Sequence, residues 1–190
     1  MRDDCPKLSK TIIVGLLRVV AKRILTTKRA RPDYGTLLSF LTTRVKHPYK
    51  DNWSKLGRLV KYFRGTKELP IILGANGTVV LKWMIDGSHI LHPNMRGHTG
   101  GGLCVGRGYP ISTLTKQKLN TRSSTKSEMI GVSYCMPSIL WTRLLLEAQG
   151  YGVNDNIIYQ DNKSAILLEK NGKASSGKRT KYINMRYFCD

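Results

Sequence analysis

Acidic residues are scarce in this chain, where 12 Asp and Glu stand against 32 Lys and Arg over 190 residues, a formal net charge of +20. The shortage is general, with 17 basic and 5 acidic residues in 1–70 and 15 basic and 7 acidic in 71–190. A surface of this sign attracts polyanions, of which nucleic acid is the commonest, but charge alone names a class of partner and no activity. Cysteine is sparse too: Cys5, Cys104, Cys135 and Cys189 lie far apart with no CxxC pair. That pattern speaks against a zinc site and for reduced thiols in an intracellular setting, cytoplasmic or nuclear. Long apolar runs are lacking. "TIIVGLL" spans only seven residues and is followed by "RVVAKR" where a cleavage site would need small residues, so neither a signal peptide nor a membrane span is expected. Internal repeats and low-complexity tracts are absent as well. What remains is a chain with 41% hydrophobic residues, enough for one good core or one core plus a smaller helical appendage.

Two textures divide the chain near residue 70. Residues 8–31 place Ile13, Leu16, Leu17, Val20 and Ile24 at helical spacing opposite a basic face, and Pro32 breaks that pattern. "YGTLLSFLTTRV" begins a second helix, and "NWSKLGRLVKYF" a third with Trp53, Leu56, Leu59, Val60 and Phe63 along one side, ended by Gly65. After Pro70, β-type runs separated by glycine take over. "TVVLKWMID" (78–86), "TGGGLCVGRG" (99–108) and "YPISTLTKQ" (109–117) read as three strands of an antiparallel meander. A long helix from "SSTKSEMIG" to "LLLEAQG" follows, then a fourth strand "NDNIIYQ", a short helix "NKSAILLEKNG" and the start of another in "KRTKYINMRYF". Strands, helix, strand and helix in this order give an α/β fold with a mixed sheet. Pro137 inside the long helix predicts a kink near Tyr134 or a second helix starting at Ser138. Trp53, Trp83 and Trp141 are expected in the core.

With so few acids, the position of each is informative. Asp86 closes the first strand, where ligands gather at a sheet edge, although "DGS" is also good turn chemistry. Glu128 shares a helix face with Val132, Cys135, Ile139 and Leu146, so an apolar stripe continues into a carboxylate; alternatively it is a favourable anion in a frayed first turn, at capping-box spacing from Thr125. Asp161 follows the fourth strand as the expected N-cap of the next helix, a role compatible with metal ligation. Two acids at strand ends and one on the inward face of the intervening helix can meet at one point. Converging carboxylates need cations to neutralise them, and all-oxygen ligation suits Mg²⁺ or Mn²⁺, the ions used in pairs to attack phosphodiesters. His89, His92 and His98 in "HILHPNMRGH" lack a cysteine or carboxylate to complete a zinc set.

Several strings carry a family likeness. "KLNTRSSTKSEMIGVSYCMPSILWTRLLLEAQG", "YQDNKSAILLEKNG" and "SGKRTKYINMRYF" resemble, in this order, the ribonuclease H segment of copia-type retrotransposon polyproteins, and "IDGSHILHPNMRGHTGG" resembles its first strand and the loop after it. Upstream, "KRARPDYGTLLSFLTTRV" and "NWSKLGRLVKYFRGTKELP" are similar to the end of the same polyprotein's reverse transcriptase. The resemblance implies a helical connection region over 1–70, a ribonuclease H-like domain over 71–190, and metal-dependent endonucleolytic hydrolysis of the RNA strand of RNA–DNA hybrids. It implies Asp86, Glu128 and Asp161 as catalytic metal ligands for two Mg²⁺ (or Mn²⁺) ions, with the polymerase part of the same element as a further partner and no membrane. Ser123 and Ser124 then serve helix initiation and backbone contact; Asn162 and Ser164 are weaker nucleic-acid contacts whose first role is helix-start chemistry.

The chain also departs from that pattern. It stops at Asp190, where family members continue to a further strand and a fourth acidic ligand, so an incomplete domain is expected; Tyr182 and Asn184 stand where many relatives have His and Asp. No polymerase "YxDD" motif occurs, which excludes DNA synthesis by this chain alone. The alternative function is a catalytically inactive remnant that only binds nucleic acid.

Overall fold

The computed structural model describes residues 5–75 and 79–171. The expected helix in "KRTKYINMRYF", with Tyr182, Asn184, Cys189 and Asp190, lies outside the described residues. The chain divides into two compact units, Met1–Leu73 and Gly74–Asp190.

The first unit is helical: α1 (Lys10–Arg29), a single 3-10 turn (Pro32–Tyr34), α2 (Gly35–Thr42) and α3 (Lys50–Gly65). Lys28 and Arg29 in the last turn of α1 suit the negative end of its dipole, and Pro32 prevents the helix from continuing. Leu16, Val20, Tyr34, Leu38, Leu41, Leu56 and Leu59 form its core. The inward stripe is narrower than the apolar pattern predicts. Leu17 and Ile24 of α1, and Trp53 and Val60 of α3, are exposed, because a helix in so small a unit buries one row of side chains against its neighbours and leaves the flanking rows in solvent.

Arg31 ties this unit together. Its side chain, 8% exposed, grips Asp33 with Nε on Oδ1 at 2.9 Å and Nη2 on Oδ2 at 2.8 Å. It also donates to the Thr66 carbonyl and hydroxyl, both at 2.7 Å, so the α1–α2 connection is fastened to the end of α3. The Arg31 hydrogen bonds hold the Asp33 carboxyl below its ordinary range, helped by the Tyr62 hydroxyl, which donates to Oδ2 at 2.9 Å. A depressed folded-state carboxyl contributes stability that is complete above the ordinary carboxylate range and is lost as pH falls through its lowered value. Asp33→Ala leaves a buried guanidinium without its counter-charge and is expected to destabilise the helical unit by about 3 kcal/mol. Hydrogen exchange of the α1 and α3 amides in the full chain measures this, as a loss of protection of about 100-fold.

The second unit holds the mixed sheet. β2 (Val79–Ser88), β3 (Arg96–Cys104) and β5 (Ile111–Asn120) form the antiparallel meander, and β6 (Val153–Tyr159) returns parallel to β2, giving the order β5-β3-β2-β6. The expected second strand is divided: β3 starts earlier, at Arg96, and after Val105 the short β4 (Gly106–Arg107) pairs with β1 (Gly74–Ala75) in a separate two-stranded ladder. α4 (Ser124–Ala148) makes the crossover to β6, and α5 (Lys163–Asn171) follows. Alternation in β2 buries Leu81, Trp83 and Ile85, which pack with Leu103 of β3 and with Val132, Cys135 and Ile139 of α4. Gly101 in the middle of β3 permits this close approach: a Cβ there would come within 2.7 Å of Cys135 Sγ.

Two further expectations are narrowed. Of the two alternatives at Pro137, the second helix starting at Ser138 is overturned, because α4 runs through the proline as one 25-residue helix. Of the three tryptophans only Trp83 is core, while Trp53 and Trp141 are exposed because they sit on the outer rows of α3 and α4. Among the described residues α4 is the one helix long and apolar enough to cross a bilayer, and its inner row is the part that covers the sheet.

Candidate metal centre

The centre arises where β6 ends beside its longer parallel neighbour β2. The β2–β6 register pairs Lys82 with Ile157, Trp83 with Ile158 and Met84 with Tyr159. Counting two residues on from the last pair sets Asp86 level with Asp161. β2 continues to Ser88 while β6 stops at Tyr159, so the β2 backbone beyond Met84 has no strand partner on that side. Glu128 fills the vacated position. Its Oε2 accepts from the Gly87 N–H at 2.6 Å, where a ladder bond would otherwise lie.

Glu128 is 6% exposed on the inner row of α4, in the second turn rather than a frayed first one. The true N-cap is Ser123, whose hydroxyl accepts from the Lys126 N–H at 3.3 Å. Ser127 beside it is fully buried and fastens the helix start from several directions. Its carbonyl accepts from Gln117 Nε2 of β5 at 2.9 Å, its Oγ lies 2.7 Å from Thr121 Oγ1, and His89 Nδ1 lies 3.3 Å from that Oγ. Gly87 is required by the same packing: a Cβ on it would sit 2.5 Å from the Ser127 carbonyl oxygen and 2.9 Å from Glu128 Cα.

Asp161 does not cap α5. The adjacent Asn162 does so, with its Oδ1 accepting from the Ala165 N–H at 3.1 Å and its carbonyl from the Ile166 N–H at 3.0 Å. The shift of one residue leaves the Asp161 carboxylate exposed and available. Asp86 is exposed too, at an outward position of the β2 alternation. Even so, one carboxylate oxygen each from Asp86, Glu128 and Asp161 lie within 4.8 Å of one another. Among the described residues this is the one grouping of three or more His, Cys, Asp or Glu side chains close enough that they could hold a metal ion together. Burial pushes the Glu128 carboxyl above its ordinary range and the neighbouring Asp86 and Asp161 add to the effect, while hydrogen bonds from Gln160 and Gly87 pull the other way.

The other expected site residues are placed less directly. Ser124 and Ser164 are exposed at the first turns of α4 and α5, and the Asn162 side chain is engaged in its cap. The histidines are tied into the fold: His98 lies in β3 instead of a loop, 3.2 Å from His92 across buried ring nitrogens, and His89 Nδ1 lies 2.9 Å from Thr121 Oγ1. Sequence reasoning missed Gly87, Gln117, Ser127 and Gln160. Two signals were available, since Gly87 directly follows Asp86 and Gln160 directly precedes Asp161.

A mixed sheet with this strand order, a helix crossing one face and acids at the ends of its two parallel strands defines a ribonuclease H-like α/β protein. No family model and no solved structure matches the chain. Curated relatives do. The chain is 28% identical over 158 residues to the retrovirus-related Pol polyprotein from transposon TNT 1-94 of Nicotiana tabacum, covering 83% of this chain and 12% of that protein. It is 30% identical over 177 residues to the Pol polyprotein from transposon RE2 of Arabidopsis thaliana, and 28% identical over 177 residues to that from transposon RE1. Each of these covers 92% of this chain and 12% of the relative. The chain belongs to the retrovirus-related Pol polyproteins of copia-type transposons, and it spans about an eighth of the length of those relatives.

Gly87→Ala is expected to force α4 away from β2, lowering stability by about 1–3 kcal/mol. The check is the urea midpoint of the full chain; an unchanged midpoint would mean that the helix start yields without cost.

Proposed function

We propose that this chain carries the ribonuclease H part of its polyprotein and hydrolyses the RNA strand of RNA–DNA hybrids. The observation that supports this most is the convergence of Asp86, Glu128 and Asp161 within 4.8 Å at the strand ends. Three carboxylates so close repel one another unless a cation sits among them, and an all-oxygen donor set fits Mg²⁺ or Mn²⁺. Asp86, Glu128 and Asp161 would hold the ions. When bound, they supply neutralising charge and Lewis acidity at a phosphodiester.

The chain's own residues prepare that chemistry. Gly87 and Gln160 orient the Glu128 carboxylate, and the start of α4 is fastened so that it faces the two aspartates. Exposed Ser124 and Ser164 are within the first turns of the two helices nearest the acids, where hydroxyls suit sugar and phosphate oxygens. The net charge of +20 draws in the hybrid backbone, making its binding steeply dependent on salt. The same reading makes the polymerase part of the polyprotein a partner of the helices between Lys10 and Gly65.

The test is cleavage of an end-labelled RNA–DNA hybrid. Products are expected only with Mg²⁺ or Mn²⁺, are abolished by a chelator, and fall by about 100-fold or more in Asp86→Asn, Glu128→Gln and Asp161→Asn. Hybrid binding without cleavage at any concentration of either ion overturns the enzymatic reading in favour of a chain that only binds nucleic acid.

A further inference from the structure

Gln160 is the first residue past β6, directly before Asp161, and its side chain makes two bonds that point in different directions. Nε2 donates to Glu128 Oε2 at 3.1 Å. Oε1 accepts from the Asn162 N–H at 3.2 Å, closing a tight loop around Asp161. The first bond reaches α4. The second fixes the peptide segment that carries Asp161 and leads into the cap of α5. One amide therefore touches the supports of two of the three carboxylates, and it does so with both of its functional ends.

The geometry at Glu128 adds a second point. Gly87 N–H and Gln160 Nε2 both donate to the same oxygen, Oε2, at 2.6 and 3.1 Å. Neither uses Oε1. A carboxylate gripped by two donors on one oxygen cannot rotate without losing both bonds, so Oε1 is kept free as a ligand atom. A neutral amide suits this position: it offers a donor to Glu128 and an acceptor to Asn162, whereas a carboxylate has no donor and would add a like charge to the cluster.

We propose that Gln160 is the positioning residue of this centre, clamping Glu128 and the Asp161 segment into one arrangement that keeps the Glu128 carboxylate beside those of Asp86 and Asp161. The proposal rests on the reading of these three acids as metal ligands. It assigns Gln160 no contact with substrate; its action is on the ligands' geometry, as hydrogen-bonding supports of metal ligands act elsewhere.

Two measurements on the full chain test it, with Gln160→Ala and Gln160→Glu compared with the unaltered protein. In the first, Mn²⁺ affinity is read by the loss of the free-ion electron paramagnetic resonance signal. Both variants are expected to bind about 10–100-fold more weakly, with an unchanged far-ultraviolet circular dichroism spectrum. In the second, made without metal, amide exchange at Asn162 and Gly87 is followed by nuclear magnetic resonance and is expected to accelerate in Gln160→Ala. Unaltered Mn²⁺ affinity in both variants, or unaltered exchange at both amides, overturns the clamp. Failure of the unaltered chain to bind Mn²⁺ overturns the metal-ligand reading and with it the positioning role, while the metal-free exchange separately decides whether the hydrogen-bonded clamp exists.

Discussion

The parallel pairing of β2 with β6 sets the position of everything in the second unit that bears on chemistry. A parallel neighbour cannot be reached by a hairpin, so the chain must cross over the sheet, and α4 is that crossover. The crossover brings a helix onto the face where Leu81, Trp83 and Ile85 need cover. It also lets two strands end in the same direction. Once Met84 is paired with Tyr159, the two aspartates that follow are level, and the unpaired backbone past β6 invites an acceptor from the helix above.

Polar and apolar packing share the work of holding that acceptor. Val132, Cys135 and Ile139 seat the middle of α4, but they do not by themselves determine the height of its first turns. The buried hydrogen bonds of Ser127 and Gln117, and the missing side chain at Gly87, do. A buried carboxylate would ordinarily be costly. Here donors from a strand backbone and from Gln160 offset part of that cost, while burial still holds the carboxyl above its ordinary range. The helical unit shows a related device on a different scale, with Arg31 and Asp33 paired in place and fastened to Thr66.

Much of this was legible in the chain. The alternation of "TVVLKWMID", the glycine-separated meander and the apolar row from Val132 to Ile139 pointed to a mixed sheet covered by a helix, and the scarcity of acids singled out Asp86, Glu128 and Asp161. The errors have local causes. Apolar residues exceeded what three short helices can bury, so Leu17, Ile24, Trp53 and Val60 lie outward. The cap of α5 is Asn162, not Asp161: Asp and Asn share the same capping chemistry, and the helix begins at Lys163, which puts Asn162 at the capping position. Pro137 does not divide α4, since packing against the sheet on both sides of it favours a continuous helix over the local preference for a break.

The sequence by itself determined the classes of things: periodicities, the sign of the surface, and the handful of carboxylates available for an ion. These are properties of neighbours in the chain, and they follow from residue chemistry and from periods of 2 and 3.6. Only the tertiary structure decided the meeting of residues 42 and 33 positions apart. Strand register, the early end of β6 and the close seat of α4 on Gly87 bring Asp86, Glu128 and Asp161 within 4.8 Å. The roles of Gly87, Ser127 and Gln160 belong to that level too, because a hydrogen-bond partner chosen across the fold leaves no periodic trace in the chain.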